Sequence, residues 1–201
     1  MSINTLIKFK VIKMQNNFSI SCFNEYASDG ISSALNELNQ QKLRPIFICI
    51  GSDLVLGDSL GPLVGTFLKN KNLPTYVYGT LNFPITAKEV EYARTYLKQT
   101  HPKTISIAID AAIGESGDIG LIRVLEKGLK PGLGVDKNLG TVGDLSIIGV
   151  VAEKSLKNYN LFNLTRLNLV YKMAEQIANG IEKYIMSMHQ ENDYTNAYYG
   201  T

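Results

Sequence analysis

The sequence predicts an α/β protein with three α/β/α layers, in which helices cover both faces of a doubly wound, mostly parallel sheet. Two segments, 45–50 and 145–151, are continuous apolar runs, which is typical of parallel strands buried on both faces, and the apolar residues of 104–109 predict a third buried strand. Segments with helical patterns separate these runs, and strand–helix–strand alternation indicates parallel crossovers. The chain has 201 residues, 45% of them hydrophobic, so one domain with a substantial core is expected.

Local patterns place the elements of the first half of the chain. Asp29 is a candidate N-cap for the first helix, in which Ile31 and Leu35 lie on one apolar face. Pro62 lies in the first turn of the second helix, where proline is tolerated. The predicted elements are a short strand at 18–23, a helix at 30–41, a strand at 45–50, a helix at 59–70 and a short strand at 76–79.

The second half continues the alternation. The run Thr86-Ala87-Lys88-Glu89 matches a capping box, which predicts the start of a helix. The predicted elements are a helix at 86–99, strands at 104–109, 119–125 and 145–151, and a long helix at 161–186.

These elements predict a single α/β domain over residues 29–188. Residues 1–28 precede the first predicted helix and are expected to form an N-terminal extension. Residues 189–201 are polar and rich in tyrosine, and we expect a disordered tail there.

Composition and charge argue against several kinds of partner. The net charge of +2 is too small to indicate binding to nucleic-acid phosphates. No apolar run reaches the ~18 residues of a membrane-spanning helix. Lysines at 8, 10 and 13 interrupt the apolar residues at the start of the chain, which argues against a secretory signal. Two cysteines, Cys22 and Cys49, favour a reducing compartment. We therefore expect a cytoplasmic protein with no nucleic-acid or membrane partner.

Two aspartates are the strongest candidates for a functional site. Asp58 follows the first buried strand and its glycine-bearing loop, and Asp110 ends the apolar run 104–109. Open α/β sheets place ligands in the crevice at the carboxyl ends of their strands. Neighbouring strands lie about 4.8 Å apart, so the two side chains meet if their strands are neighbours. Two carboxylates that share a site tend to hold one proton between them, which suits acid–base hydrolysis of an amide.

Each aspartate also has a purely structural interpretation. Asp58 precedes a predicted helix and is a suitable cap for its positive end. Asp110 is a suitable acceptor for nearby backbone amides, which a partly desolvated carboxylate needs. Both interpretations stay open beside the functional one.

The glycine-bearing loop does not match a phosphate-binding motif. Gly51, Gly57 and Gly61 lack the G-x-G-x-x-G spacing, and no lysine follows Gly57 as a P-loop requires. Asp58 would also repel a phosphate at the start of the helix.

Histidine-dependent catalysis and soft metal sites are disfavoured as well. The chain has two histidines, His101 before the third strand and His189 near the C-terminus, and neither is placed as a general base. A metal site with oxygen ligands stays possible. Its candidate ligands are Asp53, Asp58 and Asp110, joined by Asp118 or Asp144.

Several motifs closely resemble the YyaC-type sporulation proteins of endospore-forming bacteria. The resemblance extends in order from about Arg44 to the long helix that contains Thr165-Arg166-Leu167. The motifs are Ile50–Asp53, Gly57–Thr66, Tyr78–Leu81, Ala108–Ala111, Lys130–Val135 and Val142–Val151.

More distantly, the sequence resembles the germination protease of small acid-soluble spore proteins and the hydrogenase maturation proteases. This resemblance implies a fold of the phosphorylase/hydrolase type, with Asp58 and Asp110 in the positions of the germination protease's two catalytic aspartates. Residues 131–135 resemble its glycine-rich loop. In the hydrogenase maturation proteases, the same two positions carry metal-binding carboxylates joined by a later histidine. This chain has no histidine between His101 and His189, which weakens the metal-dependent interpretation.

Together these observations predict a sporulation- or germination-related peptidase that uses Asp58 and Asp110 without a metal or cofactor. A peptide or a small spore protein would be its substrate, in the cytoplasm of the forespore or spore. The loops at 51–57 and 131–143 would shape a substrate groove, with backbone amides holding the oxyanion. The expected substrate-binding residues are Gly51, Ser52, Asp53, Gly132, Gly134 and Asp144. The alternatives are a non-catalytic protein that binds a peptide or partner on this fold, and a metal-dependent protease.

Overall fold

A mixed sheet forms the centre of the protein in a computed structural model. The structure describes residues 12–14, 17–131, 140–154 and 165–199, and within them the sheet has seven strands in the order β1-β2-β6-β7-β5-β3-β4. The strands are β1 (Ile12–Met14), β2 (Asn17–Ser21), β3 (Arg44–Cys49), β4 (Tyr76–Tyr78), β5 (Thr104–Gly114), β6 (Leu121–Leu125) and β7 (Leu145–Glu153).

Most strands of the sheet run in one direction. β7, β5, β3 and β4 are successive parallel neighbours. β6 is antiparallel to both β7 and β2, and β1 is antiparallel to β2. The predicted α/β class with a mostly parallel sheet is therefore confirmed, and the antiparallel strands make the sheet mixed.

Helices cover both faces of the sheet. They are α1 (Ala27–Leu38), α2 (Leu60–Asn70), α3 (Val90–Thr100) and α4 (Leu167–Tyr199), with short 3₁₀ turns at Gly57–Ser59 and Ser116–Asp118. α1, α2 and α4 pack with one core cluster, whereas α3 packs with a second cluster on the opposite face. In β3, Phe47 belongs to the first cluster and Ile46 and Ile48 to the second. Burial on both faces explains why this strand is a continuous apolar run.

The order of the parallel strands reverses between β3 and β5. From β3 the chain passes through α2 to the edge strand β4, and it then returns through α3 to β5 on the other side of β3. Because α2 and α3 lie on opposite faces, a crevice opens at the carboxyl ends of β3 and β5.

Residues 17–28 belong to the domain rather than to an extension. The predicted strand at 18–23 corresponds to β2, which pairs with β6, and Phe18 and Ile20 are buried in the same core as α1. α1 begins at Ala27, ahead of the predicted start at residue 30. Asp29 therefore lies in the first turn of α1 and pairs with Lys183 at 2.7 Å instead of capping the helix.

The C-terminal helix is longer than the sequence indicated. α4 continues to Tyr199 and includes most of the segment for which we predicted a disordered tail. No glycine or proline occurs between His189 and Tyr199 to end the helix. Neither α4 nor any other helix among the described residues is long and apolar enough to cross a membrane.

β5 also extends well beyond its predicted end. It continues to Gly114, so Asp110 lies within the strand and not after it. The polar side chain interrupts the apolar run, but pairing with β7 continues from Asp110↔Ile148 to Gly114↔Glu153. The neighbouring strand therefore extends β5 where the local sequence does not mark a strand.

Glycines let α2 approach the backbone of the strand ends directly. A Cβ atom at Gly61 would overlap the carbonyl oxygen of Ile50, and one at Gly65 would overlap that of Gly79. Gly79 has a φ of +87°, and a Cβ there would overlap the carbonyl oxygen of Cys49. These glycines therefore seat the helix on the ends of β3 and β4.

Gly61→Ala should lower the free energy of unfolding by about 1–3 kcal/mol, because the added methyl group overpacks a tight contact. Urea unfolding followed by circular dichroism measures the change. Gly117→Ala is the matched control, since a Cβ there meets no heavy atom within 4 Å, and its effect should stay within about 0.5 kcal/mol. Equal stability of the two variants would contradict the close packing of α2.

Candidate active site

The structure brings Asp58 and Asp110 together at the reversal of strand order. β3 and β5 are paired from Arg44↔Thr104 to Cys49↔Ile109, so Asp110 is the first residue of β5 beyond that pairing. Asp58 lies in the 3₁₀ turn between β3 and α2. The two carboxyl groups interact, since the charge of Asp58 contributes to the raised pKa of Asp110. The strand that precedes Asp58 and the strand that carries Asp110 are therefore neighbours.

Burial controls the protonation of Asp110. Its side chain is half-buried and shares a face of β5 with the buried Ala108. Desolvation, and then the charge of Asp58, raise its pKa to about 8. A hydrogen bond of 2.8 Å from the Ala111 N–H to Asp110 Oδ1 opposes this rise in part. At neutral pH, Asp110 therefore holds a proton.

Asp58 is the member of the pair that ionises first. Its side chain is half-buried, and burial raises its pKa, whereas the Ser52 backbone N–H lowers it. The pKa of Asp110 rises further, first through desolvation and then through the charge of Asp58. The structure does not support the interpretation of Asp58 as a helix cap. Ser59 is the N-cap of α2, and no side chain makes a capping hydrogen bond there.

Gly51 and Ser52 position the turn that carries Asp58. Gly51 has a φ of +139°, and a Cβ there would overlap the main-chain oxygen of Asp58, so only glycine fits. The Gly51 N–H donates to the Ile85 carbonyl oxygen at 3.0 Å, and the Ser52 N–H donates to the Asp58 carbonyl oxygen at 3.1 Å. These two amides are therefore engaged within the protein, and any oxyanion-binding amide would come from another residue of the loops.

Asp144 lies at the opposite edge of the sheet from the pair. It precedes β7, and its carboxylate accepts hydrogen bonds from the Ser106 N–H at 2.8 Å and from Ser106 Oγ at 2.7 Å. Ser106 lies near the start of β5, about 13 Å along the strand from Asp110 at ~3.3 Å per residue. The structure therefore separates Asp144 from the pair, contrary to its predicted role in substrate binding. The reason is that β7 runs parallel to β5, so the residue before β7 meets the amino end of β5.

Of the remaining predicted substrate-binding residues, the structure describes only Asp53. Asp53 is exposed in the loop after β3, on the same edge as the pair. Gly132 and Gly134 lie outside the described residues. The described base of their loop is a bridge between Leu129 and Val142, both of which pack with the second core cluster.

The other polar candidates are engaged away from the pair. Asp118 pairs with Arg123 at 2.7 Å. His101 ends α3 and shares a hydrogen bond of 2.6 Å with the Tyr78 hydroxyl, and His189 is exposed on α4. Within the described residues, no three His, Cys, Asp or Glu side chains are grouped so that they would hold a metal ion. The five aspartates that we considered as oxygen ligands are thus not assembled into one site, because Asp118 and Asp144 lie elsewhere.

Comparison with known proteins identifies the family. Residues 19–180 match the family described as "Protein of unknown function (DUF1256)". The chain belongs to this family. It is also 41% identical over 137 residues to a Bacillus subtilis (strain 168) protein named "Uncharacterized protein YyaC". The aligned residues cover 68% of this chain and 67% of that protein. The resemblance to YyaC-type proteins is thereby confirmed.

The DUF1256 match covers most of the folded core. It begins at Ser19 within β2 and ends at Gly180 within α4, so it includes both Asp58 and Asp110. The structure and the family match therefore both include β2, which lies ahead of the domain start that we predicted at residue 29.

The sequence analysis missed the second half of β5, residues 110–114, which extends beyond the pairing with β3. The signal is present in the sequence, since Ala111 and Ile113 continue the period of two set by the preceding isoleucines. Asp110 lies on the other face of the strand and does not break this period. The residues in phase are Ile105, Ile107, Ile109, Ala111 and Ile113.

Asp110→Asn should stabilise the protein at pH 8 and change its stability little at pH 4. The folded-state pKa of Asp110 lies above its ordinary value of 3.8, so the native protein keeps a proton that the unfolded chain releases. The stability that Asp110 contributes is therefore greatest below about pH 4 and falls as the pH rises toward 8. Asparagine keeps the acceptor for the Ala111 N–H but never ionises. Allowing for partial solvent screening, the gain at pH 8 should be about 1–3 kcal/mol.

Urea unfolding of the wild type and of Asp110→Asn at pH 4 and pH 8 tests this expectation. Asp144→Asn is the control for loss of an aspartate charge outside the pair, and it should not stabilise the protein at either pH. A difference between Asp110→Asn and the wild type that is the same at both pH values would contradict the raised pKa of Asp110.

Proposed function

We propose that this protein is a peptidase in which Asp58 and Asp110 act as a pair. The observation that carries the proposal is a crevice with two half-buried carboxyl groups, of which Asp110 is protonated at neutral pH while Asp58 ionises first. Enzymes supply an acid and a base at one pH by separating the pKa values of two such groups. The resemblance of these two positions to the catalytic aspartates of the germination protease supports the same choice.

The protonation states assign a role to each aspartate. The Asp58 carboxylate takes a proton from water, and the water oxygen attacks the carbonyl carbon of the scissile peptide bond. The C–N bond then breaks as the proton of Asp110 passes to the departing nitrogen. Asp58 now holds a proton and Asp110 is ionised, so transfer of that proton from Asp58 to Asp110 restores the starting state. One water molecule is consumed for each peptide bond cleaved.

The family resemblance also supports a biological setting. We infer that the protein acts in sporulation or germination, on a peptide or a small spore protein, in the cytoplasm of the forespore or spore. This part of the proposal rests on the resemblance to YyaC-type sporulation proteins, and not on the geometry of the site.

Asp58→Asn and Asp110→Asn should each reduce peptide-bond cleavage by about 10²–10⁴-fold, because each removes one proton-transfer group. The measurement is incubation with an extract of small spore proteins, followed by mass spectrometry that counts new peptide ends. Unfolding curves of the purified variants show whether each is folded.

Asp144→Asn is the matched control for this experiment. It removes an aspartate charge that lies at the far edge of the sheet, and cleavage should continue at the wild-type rate. A pair variant that keeps wild-type activity would exclude the aspartate mechanism. No cleavage by the wild type would favour a non-catalytic binding protein, and loss of wild-type cleavage after exhaustive chelation would favour the metal-dependent alternative.

The rate of cleavage should follow a bell-shaped pH profile. It should fall as the pH rises through about 8, because Asp110 then loses the proton that it donates. It should also fall at acidic pH, below the raised pKa of Asp58, because the base becomes protonated. Steady-state kcat/KM measured across this range tests the assignment, because its pH dependence reports the pKa values of the free protein. A rate that is still rising above about pH 9 would contradict it.

A further inference from the structure

β5 continues beyond the strand that pairs with it at the site. The last bond of the β3 side runs from the Ile50 N–H to the Ile109 carbonyl oxygen at 2.8 Å. On its other side β5 stays paired with β7 as far as Gly114, with a register shift between Ala112 and Ile113 at which β7, and not β5, contains the extra residue. Within the described parts of the chain, residues 110–114 therefore have a strand on one side and an open edge on the other.

Asp110 itself ends the ladder between β3 and β5. In a parallel ladder, the next bond would run from the Ala111 N–H to the Ile50 carbonyl oxygen. Instead, the Ala111 N–H donates to Asp110 Oδ1 at 2.8 Å. The Ile50 carbonyl oxygen lies against α2 at Gly61, and Gly51 turns the chain away toward Ile85. The position next to β5 that a longer β3 would occupy is thus left open beside the Asp110 carboxyl group.

The alternation of backbone groups shows what this edge offers. The Ile109 carbonyl faces β3, so the backbone groups of Ala111 and Ile113 face the same side. The Gly114 carbonyl accepts a bond from the Lys154 N–H at 2.7 Å on the β7 side, which fits this alternation. The Ala111 carbonyl and the Ile113 N–H therefore point to the open edge. One residue of a parallel strand would bind both groups, with its own N–H and carbonyl.

Exposed apolar side chains belong to the same edge of the sheet. Leu54 lies in the loop after β3 and is 88% exposed, and Phe83 lies in the loop after β4 and is 81% exposed. Ile113 on the open part of β5 is 39% exposed. Large apolar side chains exposed beside polar catalytic groups favour a partner that brings apolar side chains of its own.

We propose that residues 111–113 of β5 bind the main chain of the substrate as an added parallel strand, in the position that β3 vacates after Ile50. The substrate is therefore an extended, unfolded segment of a protein with apolar side chains, held so that a peptide bond passes the Asp110 carboxyl group. Strand addition supplies affinity through main-chain hydrogen bonds, and side-chain contacts then set the selectivity. This inference rests on the proposed peptidase function and specifies how its substrate binds.

A scan of backbone methylation tests this binding mode in the wild-type protein. A peptide library made from a digested bacterial proteome first identifies the best-cleaved peptide. That peptide is then synthesised with a single N-methyl group at each main-chain nitrogen in turn. The substrate N–H that donates to the Ala111 carbonyl and the N–H two residues further on, which meets the Ile113 carbonyl, both face β5, so methylation at either position should raise KM by roughly fivefold to tenfold. Methylation at the residue between them, and at positions outside this contact, should have less than about a twofold effect.

The enzyme side of the contact is tested with Ile113→Pro. Proline removes the N–H that points to the open edge and leaves the bonds to β7 in place, and it is tolerated at strand edges. KM should rise by roughly fivefold to tenfold, with kcat nearly unchanged. Ile113→Ala is the matched control, because it keeps the N–H and should change KM less than the proline variant. Unfolding curves check that both variants fold.

The outcomes separate this inference from the function on which it rests. Alternating sensitivity to N-methylation in the wild type supports strand addition, even if Ile113→Pro fails to fold. Cleavage that is equally sensitive at all positions, or insensitive at all of them, would overturn strand addition and leave the peptidase function standing. No cleavage of any peptide in the library would overturn both.

Discussion

The close packing of α2 on the ends of β3 and β4 is the constraint on which the site depends. Gly61 and Gly65 let the helix backbone lie against strand-end carbonyl groups, and Gly51 lets the chain turn sharply out of β3. A side chain at any of these positions would overlap backbone atoms and push the start of α2 outward. Asp58 would then move away from Asp110. Gly51 and Gly61, which lack the spacing of a phosphate-binding motif, thus act by positioning a carboxyl group.

Burial of the aspartate pair favours the proposed chemistry but lowers the stability of the fold. Desolvation keeps Asp110 protonated at neutral pH, which makes it an acid for catalysis. The same desolvation disfavours its ionised form, so the fold loses stability as the pH rises. Carboxyl groups placed in this way are typical of active sites, where function is maintained at a cost in stability. The bond from Ala111 to Asp110 adds a structural effect, because it ends the β3–β5 ladder and opens the edge of β5.

Much of the fold and the centre of the site were predictable from local patterns. Buried strands at 45–50, 104–109 and 145–151 were predicted from their apolar residues, and they correspond to β3, the first part of β5, and β7. Asp58 and Asp110 were predicted as a pair because parallel strands place their carboxyl ends at one edge. The predicted end of β5 at residue 109 was wrong, because pairing with β7 continues the strand past the polar residue Asp110. Asp144 was misplaced because its position depends on the direction in which β7 runs.

The sequence by itself determined the class of fold, the identity of the two aspartates and the absence of a phosphate-binding motif. These follow from periodicity and residue chemistry within short segments, which do not depend on distant contacts. The tertiary structure decided that β3 and β5 are neighbours, that Asp110 lies inside a strand, and that Asp144 meets Ser106 at the opposite edge. Strand order, strand direction and the extent of pairing depend on backbone hydrogen bonds between residues far apart in the chain. Local side-chain patterns therefore cannot specify them.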